Sequence, residues 1–68
     1  MTPAAHRIAN FLCSMPSGHT TAPREVVKDL LLETGGQLLA QGSLYDVKAK
    51  PIGAGVYRVS LSPWRQKP

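Results

Sequence analysis

The hydrophobic period of this 68-residue chain changes once, at Gly35-Gly36, and that change governs what the chain can become. Before the glycine pair the apolar residues recur at helical spacing; after it they alternate. Over residues 3–15, Ala4, Ala5, Ile8, Leu12 and Met15 form a stripe that Ala9 and Phe11 widen, and His6, Arg7, Asn10 and Ser14 take the other side. Thr2 suits the N-cap and Pro3 the first helical position, where a missing N–H costs nothing. Pro16-Ser17-Gly18 stops this helix, so residues 16–21 read as a turn ending in helix-capping threonines. A second helix is expected over residues 23–34. Thr21 or Ala22 would cap it, Pro23 would start it, and Val26, Val27, Leu30 and Leu31 would form its apolar face. Gly35 and Gly36 supply the left-handed stop common at helix ends.

Beyond the glycines, residues 37–41 fit either a short strand or a last helical turn. Residues 44–52 and 56–61 read as strands joined by Gly53-Ala54-Gly55. If Ile52 pairs with Val56, then Lys50 faces Arg58 and Lys48 faces Ser60 on one side of the hairpin. Ala49 then faces Val59 and Val47 faces Leu61 on the other. Tyr45, Val47, Ala49, Tyr57, Val59 and Leu61 make the apolar face; Asp46, Lys48, Lys50, Arg58 and Ser60 make the wet one. Pro51 requires its strand to be an edge or to bulge near the loop, because it has no N–H to give a neighbour.

The expected fold is therefore α+β: two N-terminal amphipathic helices packed on a small C-terminal antiparallel sheet of two or three strands. It forms one domain, with a helical half at 1–36, a β half at 37–62 and a basic tail at 63–68. The helices would bury Ile8, Phe11, Leu12 and Met15, and Val26, Val27, Leu30 and Leu31, against Val47, Tyr57, Val59 and Leu61. A hydrophobic content of 43% is too high for a disordered chain. A chain this short buries only about 60% of its unfolded surface, so homodimerisation would enlarge a small core. The edge run Leu38 to Ala40 and the helix faces are the expected contact surfaces. Cys13, the one cysteine, fits a reducing compartment and a small core residue. No apolar run is long enough for a membrane span and the start lacks a basic region leading into an apolar stretch, so a soluble cytoplasmic protein is expected.

The net charge of +4 is unevenly placed. Up to residue 43, Arg7, Arg24 and Lys28 balance Glu25, Asp29 and Glu33; after it, Lys48, Lys50, Arg58, Arg65 and Lys67 face Asp46 alone. Such a distribution suits a neutral scaffold presenting a basic surface to an anionic partner. Lys50 opposite Arg58 is unfavourable without a partner. A basic two-stranded ribbon can follow phosphates or enter a groove, and lysines and arginines also blunt sticky strand edges. Trp64, with Arg65 and Lys67, suits stacking on a base and gripping phosphates, or equally a ring folded back over the core.

Nothing in the sequence points to catalysis, a metal or a cofactor. His6, Cys13 and His19 match no zinc spacing and lack a fourth ligand. Ser17 and His19 sit in no nucleophile elbow, and Gly53-Ala54-Gly55 leads into a strand rather than a helix. Glu25, Asp29 and Glu33 lie along one side of a helix, as a solvated face does.

Residues 5–12, the helix around residues 26–31 and the basic hairpin with its glycine loop resemble, in layout, a winged-helix DNA-binding domain. The resemblance implies that the hairpin is the wing and that Lys48, Lys50 and Arg58 contact phosphates. Residues 35–43 leave room for one or two helical turns where that family has its recognition helix. The expected function is a small non-enzymatic nucleic-acid-binding or regulatory protein acting through Lys48, Lys50, Arg58, Trp64, Arg65 and Lys67. The alternative is an interaction module, an inhibitor or adaptor, docking the same bases on an acidic protein.

Overall fold

The computed structural model describes residues 2–64. Its elements run α1 (Pro3–Ser14), β1 (His19–Pro23), α2 (Arg24–Thr34), β2 (Gln37–Ala40), β3 (Ser43–Gly53) and β4 (Val56–Pro63). The four strands form one antiparallel sheet in the order β1-β4-β3-β2, and both helices pack on one of its faces. The α+β architecture agrees with the sequence; the sheet has four strands, and one of them lies between the helices.

That strand, β1, replaces the turn and capping threonines expected at residues 16–21. Thr20 and Ala22 turn inward and His19, Thr21 and Pro23 outward, opposite Val59, Tyr57, Ser60, Arg58 and Val56 of β4 respectively. Helix α2 consequently begins at Arg24, and its N-cap is Pro23, with no side-chain cap. The Arg24 N–H, one of the unpaired amides of that helix start, donates instead to Gly55 O at 3.1 Å. In α1 the sequence signal holds: Thr2 Oγ1 accepts from the Ala5 N–H, with Pro3 in the first turn.

Residues 37–40 form a strand rather than a helical turn. Gln41 (φ 50°) and Gly42 (φ 82°) make the two-residue loop between Ala40 and Ser43, and two successive positive φ angles match the twist of a tight hairpin. No helix occupies residues 35–43, where the winged-helix layout has its recognition helix. The β3–β4 register pairs Lys50 with Arg58, Lys48 with Ser60, Ala49 with Val59 and Val47 with Leu61, as the alternation demanded. Gly53, not Ile52, sits opposite Val56, because a bulge absorbs one residue between Pro51 and Gly53. The Val47 N–H donates to Gly36 O on the β2 side at 2.8 Å, so the nitrogen of Pro51, four residues on, points to that same side, past the end of β2, where no strand needs its hydrogen.

The core is small: Ala5, Leu12, Ala22, Val27, Leu30, Val47 and Val59, with Leu12, Leu30 and Val59 the largest side chains fully buried. Ile8, Val26, Leu31, Tyr57 and Leu61 line it half-buried. Phe11 and Met15 were expected inside but are 37% and 52% exposed. The Phe11 ring lies beside the 15–18 turn, its Cζ 3.6 Å from where the Cβ of a side chain on Gly18 would sit. The edge of β2 is not bare either: the Cys13 thiol donates to Leu39 O at 3.5 Å and Gln41 Nε2 to Ser14 O at 3.2 Å.

Candidate functional site

The outer face of the sheet, opposite both helices, gathers most of the residues the charge pattern singled out. Strand alternation puts His19, Thr21 and Pro23 of β1 on it, then Val56, Arg58, Ser60 and Ser62 of β4, Leu44, Asp46, Lys48 and Lys50 of β3, and Gln37 and Leu39 of β2. The register sorts these side chains into rows across the strands. One row is Thr21, Arg58, Lys50; the next is His19, Ser60, Lys48; the third is Ser62, Asp46, Gln37. Lys48, Lys50 and Arg58 are all exposed.

Directly opposed side chains have Cβ atoms about 5 Å apart, so Arg58 and Lys50 hold two positive charges side by side, with Lys48 on the adjoining row. Edge protection explains only part of this. Lys48 and Lys50 lie on a stretch of β3 that β2 does not reach, but Arg58 lies on β4, which has a strand on each side. An interior strand has no edge to blunt. The threonine and serine hydroxyls beside the cations add donors and acceptors without charge.

Asp46 is the one acidic residue on this face, and its Oδ1 accepts from Gln37 Nε2 at 3.4 Å. It separates the basic rows from an apolar end built of Leu39, Leu44 and Trp64, which are 67%, 39% and 40% exposed. The Trp64 N–H donates to Leu44 O at 3.1 Å, continuing the β3–β4 ladder by one pair. By that alternation Trp64 belongs with Ser62 and Ser60 on the outer face, away from the core over which a folded-back ring would lie. Arg65 and Lys67, the remaining expected contacts, lie outside the described residues.

Sequence reasoning missed His19 and Thr21 on this face because they belong to the unrecognised β1; two adjacent threonines before a proline were the only signal. Among the described residues no cluster of three or more His, Cys, Asp or Glu is placed to hold a metal ion, and no helix is long and apolar enough to cross a membrane. Apolar grooves run between α1 and β1, where the lining reaches Thr21 at the end of one basic row, and between α2 and the residues Ala49 and Tyr57 of β3 and β4. No family model, no curated protein and no solved structure matches the chain.

Proposed function

We propose that this is a small non-enzymatic nucleic-acid-binding protein whose contact surface is the outer face of its sheet. The observation that carries the reading is Arg58: an arginine on an interior strand, set between Thr21 and Lys50 with Lys48 on the adjoining row, on a face that neither helix covers. Holding like charges together there costs stability, and a phosphate chain is the ligand that turns the cost into attraction. Arg65 and Lys67, shortly after Trp64 in sequence, add two further positive charges to the chain. This reading moves the contact from a free hairpin to the whole face.

The test is titration of labelled oligonucleotides at two salt concentrations with wild-type protein and a Lys48→Gln/Lys50→Gln/Arg58→Gln variant. Five phosphate contacts give a log–log salt slope of about −4 to −5 on duplex and about −3.5 on single strands. The triple variant should lose about 3 of the duplex slope or about 2 of the single-strand slope. Absence of binding to either form at about 50 mM salt overturns the reading and leaves an acidic protein as the partner to seek.

A further inference from the structure

Resting on that reading, we infer that the ligand is a single strand rather than a duplex, laid along β4 with phosphates over Arg58, Lys50 and Lys48 and bases toward Leu44 and Trp64. A hairpin enters a duplex groove only if it projects as a two-stranded ribbon. This hairpin does not project. Its loop is held to the start of α2 by the Arg24 N–H to Gly55 O bond, and β1 pairs with β4 as far as Val56. At the basic rows the sheet is three strands wide, about 10 Å between outer strand axes before side chains are added, against a major groove about 12 Å wide. The surface is a platform, and a platform meets a single strand whose bases are free to turn onto it.

The two ends of the face are chemically matched to such a ligand. The cations and hydroxyls suit a phosphate–sugar chain. The exposed indole of Trp64 beside Leu44 offers a flat apolar seat, which every base accepts because every base has a π-face. Asp46, between the two ends, repels phosphate, and the groups that its bond with Gln37 leaves over are open to base edges, so this row favours the backbone at the basic end. From Arg58 to Trp64 is six residues, about 20 Å of extended strand, which holds roughly four nucleotides, the lower end of known site sizes.

Trp64 is the chain's one tryptophan, so its own fluorescence reports the contact. Wild-type protein is titrated with oligo(dT) and oligo(rU) of increasing length and with a matched duplex at one low salt concentration. The expected result is quenched Trp64 emission, affinity that stops rising steeply beyond about six nucleotides, four for the span from Arg58 to Trp64 and two for the contacts of Arg65 and Lys67, and at least tenfold preference for a single strand over duplex. The DNA and RNA arms show which sugar is preferred. Trp64→Ala should weaken single-strand binding by about 5- to 100-fold while Trp64→Phe retains most of it, both variants keeping the wild-type circular dichroism spectrum. Duplex bound as tightly as the single strand, or Trp64 emission unmoved at saturation, overturns the inference while the nucleic-acid reading stands. Binding to neither form overturns both.

Discussion

Along β4, Tyr57, Val59 and Leu61 turn to the helices, while Arg58, Ser60 and Ser62 turn to water. The two sets belong to one strand and share its backbone hydrogen bonds, yet they hold different properties. The inner set joins Leu12, Leu30 and Val47 in a core with few fully buried side chains, so each of them carries a large share of the stability. The outer set joins Lys50 and Thr21 in rows that add charge and lower stability. Strand alternation separates the two so completely that each face can be altered while the other stays intact.

The largest effect should come from the inner face. Leu30 is fully buried between the helices and the sheet, and Leu30→Ala should cost about 2–4 kcal/mol in urea unfolding, enough to leave a domain of this size largely unfolded. Val59→Ala should lose nearly as much. A change under about 1 kcal/mol at both positions would break the contrast between the faces.

A smaller loss is expected where the helices are tied together. The Thr2 hydroxyl caps α1, and its N–H and Oγ1–H both donate to Asp29 Oδ2 of α2, at 2.8 and 3.0 Å. Thr2→Ala should cost about 1 kcal/mol, read from the unfolding midpoint. The same bonds, the backbone one foremost, hold the Asp29 carboxyl below its ordinary value of 3.8. A lowered folded value means that the stabilisation is fully present above the ordinary value and is lost as pH falls through the folded one. Acid titration of stability should therefore lose part of its low-pH decline in Asp29→Asn, and an unchanged profile would show that the clamp does not form.

The smallest effect carries the opposite sign. Lys50→Thr removes one of two facing cations and should raise stability by about 0.5 kcal/mol while weakening oligonucleotide binding. A variant that loses both stability and binding would mean that Lys50 is structural, and the division between faces would need redrawing.

Much of this was legible because large apolar residues write the periods plainly. Val26, Val27, Leu30 and Leu31 mark α2, and Val47, Ala49, Val59 and Leu61 fixed the β3–β4 register down to Lys50 opposite Arg58. What the sequence hid was β1, whose inward residues are only Thr20 and Ala22, too small and too few to show an alternation. Without β1, β4 looks like an edge, and edge protection accounts for Arg58 as well as ligand binding does. The exposed positions of Phe11 and Met15 were hidden for a different reason. Helical spacing tells which side of α1 a residue is on, but not how fully the neighbouring elements cover it there.

On the proposed function, one sheet face binds and the other holds the fold together. Backbone amide chemical-shift mapping during titration with a short single strand tests it most directly. The shifts should concentrate at Thr21, Lys48, Lys50, Arg58, Ser60 and Trp64, with the exposed helical residues Arg7, Glu25 and Lys28 nearly unmoved. Shifts gathered on α1 and α2, with Arg58 and Lys50 silent, would contradict it.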